Sequence, residues 1–306
     1  MTALHAVDLL IGGGGLALGV SRAGFAISLG IDSDPLAVET VKLNRPDWHL
    51  LNRDVASVSA EEVMRSDLIV AGLPSPQAGG FDSGANDAML SCIRLIAESQ
   101  PRAALLEGTS SLLHERHKKL LLPILRILEA AGYQLDVRML RASSFGVVQH
   151  RPRAYIVALK SDEFAQFEWP YPIKVQQTLG ALLHDDMASR GWRGAESWAE
   201  RANSTAPTIV GGSRRHGGAD LGPTGTKQAW WRVGVDPTSI ADLAPAPDDP
   251  VALYPRLTLS MVARMQGMGD WVFCGPKGAQ FRLIASATPP PVAERLAGAI
   301  RDALKR

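Results

Sequence analysis

The sequence predicts an α/β protein built on a largely parallel sheet, and three observations support this prediction. Residues 5–11 are a short apolar run, followed at once by four glycines and then by a segment of helical character. Residues 25–31 form a second apolar run, which ends in Asp32. Residues 68–71 form a third, typical of a strand that is buried on both faces. Short buried strands that alternate with helices favour a doubly wound, Rossmann-like sheet.

Composition limits the class of protein. The chain has 306 residues, 46% hydrophobic and 21% charged, which is enough for one large domain and a smaller one. A net charge of +1 gives no global signal for nucleic acid, so such binding needs a local basic patch. Cys92 and Cys274 are too few for a metal set or a disulfide framework and fit a reducing cytoplasm. No run approaches the roughly 18 apolar residues of a membrane span, and the N-terminus lacks a signal-peptide pattern. We expect a protein inside the cell that holds no metal.

The first strands lead into candidate ligand-binding residues. Glycines 12–15 let a ligand approach the backbone at the start of a helix, unless they form only a tight connection. Asp32 ends the second strand, where such folds hold ribose hydroxyls. Either Asp32 or Asp34 could instead cap the next helix. Asp54, in a third unit, is placed like a carboxylate that contacts adenine, although an exposed loop position explains it equally well.

The fourth and fifth strands point at the same sheet edge. The fourth runs into a Gly-Leu-Pro-Ser-Pro sequence, which must leave the sheet abruptly and places Ser75 just beyond the strand end. Residues 103–106 form the fifth strand, which delivers Glu107 to that edge. A lone carboxylate is costly to bury unless it has a function or a partner. Chemistry in open α/β sheets sits at this edge, so Ser75 and Glu107 are candidate site residues.

The remaining elements follow from periodicity. Apolar residues at i, i+4 spacing over 292–304 predict a C-terminal helix packed on the first sheet. Pro123 should break or start the apolar helix over 120–130. Further helices are predicted over 36–44, 88–99 and 258–265, and further strands over 135–140 and 154–159.

Taken in order, these blocks resemble those of the DNA (cytosine-5) methyltransferase family over nearly the whole chain. The resemblance implies an S-adenosylmethionine-dependent, Rossmann-like methyltransferase fold with a small target-recognition domain. It also implies a discontinuous methyltransferase domain, residues 1–165 and 283–306, and a target-recognition domain, residues 166–282. The matching blocks are 8–16 for the cofactor loop, 32–35 for the ribose, 72–76 for the nucleophile loop, and 107–109, 149–153, 257–270 and 285–291.

The family's chemistry assigns roles to these residues. A cysteine thiolate attacks C6 of a cytosine flipped out of the duplex, a Glu holds the ring at N3, an Arg contacts the base, and C5 then takes the methyl group. The resemblance implies that Glu107 holds the ring and that Arg153, with Arg151, belongs to the catalytic set at the base. The cofactor residues it implies are Leu10, Gly12, Gly14, Gly15, Asp32, Asp54 and Ser286.

The sequence departs from the family at the nucleophile. Ser75 stands where the cysteine should be, and a register set on the following Gln would place Pro76 there instead. A serine hydroxyl needs an adjacent general base, which the surrounding sequence does not offer. Other changes accompany it: Leu10 for a Phe against adenine, Gly108 and Thr109 for Asn-Val, and Ala285 and Ser286 for Gly-Asn. Losses at several blocks indicate a natural pseudoenzyme with a degraded cofactor pocket, not a single substitution.

Two segments suggest contacts with DNA. Residues 206–232 hold four Lys or Arg and one acidic residue, and Arg on a Gly-rich backbone suits phosphate and guanine contacts. The alternative is a solvated loop whose Trp230 and Trp231 belong to the core. Residues 114–119 are a charged run that reads as a solvated or phosphate-facing surface. The predicted DNA-binding residues are Gln149, Arg214, Arg215, His216, Lys227 and Arg232.

These observations predict a protein that binds double-stranded DNA without methylating it. The first alternative is an active DNA cytosine-C5 methyltransferase of a restriction-modification system. The second is a regulatory or scaffold subunit that binds a protein partner, such as an active methyltransferase or a nuclease. In each case we expect a cytoplasmic, nucleoid-associated prokaryotic protein without a membrane partner.

Overall fold

The computed structural model describes residues 3–75, 84–173, 177–210 and 219–305. In this part of the chain, seven strands form one sheet in the order β3-β2-β1-β4-β5-β7-β6. The strands are β1 (Leu4–Asp8), β2 (Phe25–Asp32), β3 (Leu50–Asn52), β4 (Leu68–Gly72), β5 (Ala103–Thr109), β6 (Gln134–Arg141) and β7 (Pro152–Leu159). Strands β1 to β5 pair in parallel, and β7 runs antiparallel to β5. The predicted α/β class with a Rossmann-like sheet is confirmed.

The parallel strands bring their carboxyl ends to one edge of the sheet, the carboxyl edge. Asp8 ends β1, Asp32 ends β2 and Gly72 ends β4. Glu107 lies near the end of β5, where it pairs in register with Gly72. All but the last residues of β4 and β5 are buried, which explains why both strands are apolar without alternation. The residues expected at one edge from the sequence therefore share it in the structure.

The chain divides into two compact units, both discontinuous in sequence. The first comprises Met1–Leu140, Pro152–Tyr171 and Thr288–Arg306, and the second Arg141–Arg151 and Pro172–Ala287. These bounds differ from the division drawn from the sequence, which assigned 141–151 and 283–287 to the first domain and 166–171 to the second. Residues 141–151 leave the sheet after β6, and a bridge between Gln149 and Ala206 holds them within the second unit.

The helices are assigned within the described ranges, and none of them is long and apolar enough to cross a membrane. Those of the first unit are α1 (Gly15–Arg22), α2 (Pro35–Asn44), α3 (Ala60–Val63), α4 (Gly84–Ser99), α5 (Lys118–Ala130), α6 (Ser161–Gln166) and α12 (Pro290–Lys305). Those of the second unit are α7 (Leu179–Ala188), α8 (Ala195–Arg201), α9 (Thr224–Arg232), α10 (Leu259–Met265) and α11 (Lys277–Ser286).

Helix α12 has the predicted apolar stripe but packs chiefly against α1. Its buried residues include Val292, Leu296 and Ile300. The two helices approach so closely that a Cβ atom at Gly19 of α1 would lie 2.4 Å from the Cβ of Ala293. The structure thus shows the contact of α12 with α1, and the expectation that α12 also packs on the first sheet stays a prediction.

Helix α5 contains Pro123 in its second turn, although the sequence predicted a break or a start there. Proline removes one backbone donor, so the carbonyl of Lys119 loses its partner within the helix. Lys119 is exposed, so water can hydrate that carbonyl group. Meanwhile Leu120, Ile124 and Leu128 bury one face against the core of the first unit. Burial of each such side chain is worth about 1.5–3 kcal/mol, which offsets the cost of the proline.

The second unit has its own core, built around tryptophan side chains. Trp198 and Trp230 are fully buried, and the indole Nε1 of Trp198 donates to the carbonyl oxygen of Gly234 at 2.9 Å. Trp231, the next residue in α9, is 42% exposed and lies 5.6 Å from the ring of Tyr254. Of the tryptophan pair, only Trp230 therefore belongs to the core.

Candidate functional site

A buried carboxylate with two side-chain partners lies at the carboxyl edge. Glu107 is 5% exposed. Its Oε1 lies 2.8 Å from Nε of Arg153, which β7 brings beside β5 by antiparallel pairing of Arg153 with Thr109. Its Oε2 accepts a hydrogen bond from Oγ1 of Thr288 at 2.9 Å. The partner expected for a buried Glu is thus present, and the carboxylate is held in one orientation.

Thr288 is a member of this group that the sequence did not reveal. It is 3% exposed, and it precedes α12 in the first unit, 181 residues from Glu107 in the chain. A lone threonine carries no chemical signal in a sequence. Thr288 could have been found from its position, because it directly follows residues 285–287 within one of the blocks that resemble the family. Glu107, Arg153 and Thr288 together form the Glu107 site.

Ser75 lies beyond the neighbouring strand end and is exposed. The strand approaches the Glu107 site closely, because a Cβ atom at Gly72 would lie 3.8 Å from Oε2 of Glu107. The backbone N–H of Leu73 also donates to the carbonyl oxygen of Glu107 at 2.7 Å. No side chain of residues 3–75, 84–173, 177–210 or 219–305 hydrogen bonds to the Ser75 hydroxyl. Pro76, the nucleophile position in the other register, lies outside the described residues.

Cys92, the cysteine of the first unit, provides no reactive thiol at this edge. Cys92 is fully buried in α4. Burial raises the pKa of its thiol, and the nearby Asp8 carboxyl group raises it further. Because the thiolate is the nucleophilic form, Cys92 is chemically inert. Cys274 belongs to the second unit.

The glycine loop after β1 is tied to the end of β2. Gly12 and Gly14 have left-handed backbone angles, φ 50° and 84°, and Gly14 caps α1. Asp32 accepts the N–H of Gly12 through Oδ2 and the N–H of Asp34 through Oδ1, both at 2.8 Å. Asp34 caps α2 by accepting the N–H of Leu36 at 3.0 Å. Asp34 is therefore the helix cap, and Asp32 orients the loop.

Asp8 is a buried acid that was not among the predicted site residues. It is 0% exposed, and its Oδ1 accepts the N–H of Leu10 at 3.2 Å. Burial is the main cause that raises its pKa to about 7, and repulsion from Asp32 adds to this. Hydrogen bonds from the backbone of Leu10 and Ala17 act in the opposite direction. The sequence did carry a signal for Asp8, because this acidic residue ends a buried strand directly before a glycine turn.

The other predicted cofactor residues are dispersed. Gly15 is the buried first residue of α1, and Leu10 is half-buried against the core. Asp54 is exposed and accepts the N–H of Ala56 at 2.9 Å, which makes it the cap of the turn at 55–57. Ser286 ends α11 in the second unit. The structure therefore brings together Gly12, Gly14 and Asp32, while Asp54 serves a local turn.

Arg151, predicted in the catalytic set, is instead a buried support of the second unit. It is 1% exposed, with φ 24°. One guanidinium nitrogen, Nη2, donates to the carbonyl oxygens of Ala287 at 2.9 Å and Ser286 at 3.3 Å. The other, Nη1, donates to that of Ile209 at 3.4 Å. Donors directed at backbone carbonyls stabilise this unit, and Arg153 is the arginine that pairs with Glu107.

Gln149, predicted to contact DNA, is fully buried as well. Its Nε2 donates to Oε1 of Gln266 at 2.6 Å, and its Oε1 accepts the N–H of Ile209 at 2.9 Å. A direct contact with DNA would break both bonds and leave buried polar groups unsatisfied. The structure does not present Gln149 to a ligand.

The predicted basic stretch is described only at its ends. Nζ of Lys227 lies 2.8 Å from Oδ2 of Asp220, so its charge is paired. Arg232 is exposed at the end of α9. The remaining predicted DNA-binding residues, Arg214, Arg215 and His216, lie outside the described residues.

Comparison with known proteins agrees on one family. The model of the C-5 cytosine-specific DNA methylases matches residues 4–302. The chain is 41% identical over 314 residues to the Type II methyltransferase M.NaeI of Lentzea aerocolonigenes, covering 99% of this chain and 76% of that protein. It is 36% identical over 313 residues to M.NgoMIV of Neisseria gonorrhoeae, covering 98% of each. Its fold is similar, at a TM-score of 0.71 and 22% identity, to that of a putative DNA modification methyltransferase from an E. coli prophage, covering 99% of this chain and 100% of that one.

Proposed function

This chain belongs to the C-5 cytosine-specific DNA methylase family, and from that premise we propose that it binds double-stranded DNA, holds a cytosine at the Glu107 site, and transfers no methyl group. One observation carries the proposal. The Glu107 site is fully assembled, whereas Ser75 stands at the nucleophile position, exposed and without a general base among the described residues.

The Glu107 site offers groups that match a cytosine ring. The Glu107 carboxylate can accept a hydrogen bond from the exocyclic amino group, and the Arg153 guanidinium can donate to a ring carbonyl oxygen. Both groups are nearly dry, with side chains 6% and 16% exposed. A cytosine can reach such groups only after it leaves the base stack. Base binding in this site therefore implies base flipping.

The missing step is the covalent attack that makes C5 reactive. A cysteine with a pKa of about 8.5 supplies some thiolate at neutral pH, whereas a serine hydroxyl must give its proton to a base as it attacks. In the described part of the chain no such base contacts Ser75. Without a bond to C6, the ring keeps its aromatic electrons, and C5 does not take a methyl group.

The cofactor loop fits S-adenosylmethionine as a ligand. Gly12 and Gly14 leave open backbone at the start of α1, and Asp32 lies at the end of β2 where a ribose is held. When bound, S-adenosylmethionine supplies an electrophilic methyl group. Leu10 offers the adenine a smaller apolar surface than an aromatic ring. We expect the bound cofactor to stabilise the first unit without losing its methyl group.

Selection of bound duplexes from a random pool, with and without S-adenosylmethionine, tests the proposal. The expected result is enrichment of one short sequence that contains a cytosine, and loss of binding when that nucleotide is replaced by an adenine–thymine pair. Failure to enrich any sequence at low salt would favour a scaffold that binds protein partners instead. Methylation of the enriched sequence would identify an active methyltransferase, as the names of its relatives would suggest.

A further inference from the structure

The cationic segment, residues 114–119, presents a surface that the Glu107 site does not use. Its residues after His114 are Glu115, Arg116, His117, Lys118 and Lys119. All are exposed except His117, which is half-buried. With neutral histidines the segment carries three positive charges and one negative charge. The chain as a whole is nearly neutral, so this is a local concentration of positive charge.

The segment lies at the carboxyl edge of the first unit. The chain leaves β5 two residues after Glu107, makes two short turns at 110–113 and 115–117, and enters α5 at Lys118. The helix then returns across the sheet, so its first residues stay near the edge that β5 reached. Leu112 is 1% exposed and anchors the turns in the core. The cationic segment and the Glu107 site therefore share one edge of one unit.

The chain is closely packed where β5 enters these turns. A Cβ atom at Gly108 would lie 2.9 Å from Cδ2 of Leu112, so a side chain at this position would require the flexible end of Leu112 to shift. Thr109 and Ser111 share a hydrogen bond of 2.7 Å between their hydroxyl oxygens. These contacts fix the start of the segment that carries the charges.

The side chains of the cationic segment leave a net positive charge at the start of α5. Arg116 donates from Nε to Nε2 of His117 at 3.1 Å, which orients the guanidinium group. Burial, with Arg116 and His114, lowers the pKa of His117, which favours the neutral ring that can accept that bond. Lys118 pairs with Glu115. The first turn of α5 holds no acidic residue, although cations there oppose the helix dipole. Such an arrangement is costly for the free protein and favourable beside phosphates.

We infer that the cationic segment is a second contact with the DNA backbone, in which Arg116, Lys118 and Lys119 bind phosphates near the cytosine held at the Glu107 site. This inference rests on the proposed binding of duplex DNA. Phosphate contacts position a protein on the duplex without reading sequence. The segment would supply affinity from the first unit itself, independently of the basic stretch at 206–232.

The test is the salt dependence of binding to the selected duplex, measured by fluorescence anisotropy. The variant carries Arg116→Gln, Lys118→Gln and Lys119→Gln, which remove the charges but keep polar side chains of similar helix propensity. The matched control removes three exposed cations elsewhere on the first unit, Arg22→Gln, Arg65→Gln and Arg126→Gln. Because each phosphate contact contributes about 0.9 to the slope of log K against log salt, we expect the variant to lose roughly 2–3 from that slope. The control should lose under about 0.5.

A second variant is expected to have the opposite effect on binding. Glu115→Lys frees Lys118 and adds a cation, so it should tighten binding and steepen the slope by about 1–2. Equal slopes for the triple variant and its control, or no change with Glu115→Lys, would overturn the inference while leaving DNA binding in place. Absence of any duplex binding by the wild type would overturn the inference together with the proposed function. Methylation of the duplex by a wild type that shows the expected slopes would overturn only the proposed lack of chemistry.

Discussion

The neighbouring ends of β4 and β5 differ in the burial and the pairing of their polar side chains. At the end of β5, Glu107 is buried and held by Arg153 and Thr288. At the end of β4, Ser75 is exposed, and no described side chain holds it. The two ends lie side by side, because Gly72 pairs with Glu107. The groups that we propose to bind a base and the position where the family has its nucleophile are therefore separate features of one edge.

The burial of each side chain determines what its replacement would cost. A buried carboxylate without its partners destabilises the fold, so a change at Arg153 or Thr288 should be costly. An exposed side chain after a strand has no such constraint, and its replacement costs almost nothing in folding free energy. A change at Ser75 therefore leaves the fold intact, whereas a change in the pair that we propose to bind the base does not.

The largest expected effect is a gain of chemistry in Ser75→Cys. A thiolate at this position can attack C6 of a cytosine at the Glu107 site, after which C5 takes a proton from solvent. Elimination then breaks the bond from C5 to its original hydrogen, which leaves as a proton as the thiolate departs from C6, so the C5 hydrogen exchanges with solvent. We expect the wild type to show no exchange and Ser75→Cys to show it on the selected duplex, measured as tritium release from C5 without cofactor. The double variant Ser75→Cys with Glu107→Gln is the control, and its exchange should be at least tenfold slower. Exchange by the wild type would contradict the assignment of Ser75 as inert.

The next effect concerns stability and compares the two strand ends directly. Arg153→Met leaves the buried Glu107 carboxylate without its cation, which should cost about 3–5 kcal/mol of the free energy of unfolding in urea titrations. Ser75→Ala should change it by no more than about 0.5 kcal/mol. Adding Glu107→Gln to Arg153→Met should recover a large part of the loss, because the uncompensated charge is gone. Equal free energies of unfolding for Arg153→Met and Ser75→Ala would contradict the difference expected between the two strand ends.

At a third strand end, that of β1, the buried acid is Asp8, which has no cationic side chain among its described partners. The pKa of Asp8 in the folded protein is about 7, against an ordinary value of 3.8. The protonated Asp8 carboxyl group contributes stability that is fully present below its pKa in the unfolded chain. This contribution is lost as the pH rises through its pKa in the folded protein. Asp8→Asn removes this loss, so its advantage in Tm over the wild type should grow between pH 5 and pH 8 by several degrees, at about 2–4 °C per kcal/mol. A constant difference in Tm across this range would show that Asp8 is ionised when buried.

The smallest effect belongs to Thr288. Thr288→Val keeps the shape of the side chain but removes the hydrogen bond to Oε2 of Glu107, which should cost about 1–2 kcal/mol in the same urea titrations. Thr109→Val, which removes the hydroxyl contact with the half-buried Ser111, is the matched control and should cost less. If Thr288→Val is as stable as the wild type, Thr288 is a neighbour of the Glu107 site and not a part of it.

Much of the fold could be predicted because its signals are local. Apolar runs gave β2 and β4 to within a residue or two, since both strands are buried and bounded by polar or glycine residues. Glu107 could be found because a single charge interrupts a buried strand. The strand over 154–159 was also predicted from its apolar run, but Arg153 was singled out only by the resemblance, and its antiparallel pairing beside β5 was not predicted.

The rest depends on long-range geometry that no local pattern carries. Arg151 and Arg153 are two residues apart, yet the left-handed backbone at Arg151 sends the chain into β7 and leaves Arg151 in the second unit. Spacing alone could not decide which arginine meets Glu107. The sequence predicted that Gln149 contacts DNA. In the structure its side-chain amide donates a hydrogen bond to Gln266, which is 117 residues away in the chain.

We propose above that this protein binds a specific cytosine-containing duplex without methylating it. A single-turnover assay tests this, with the selected duplex, S-adenosylmethionine labelled in its methyl group, and protein in excess over DNA. We expect the duplex to be fully bound and to take up no label at any time point. Transfer of labelled methyl groups to the duplex, approaching one per target cytosine, would show that the protein is an active methyltransferase.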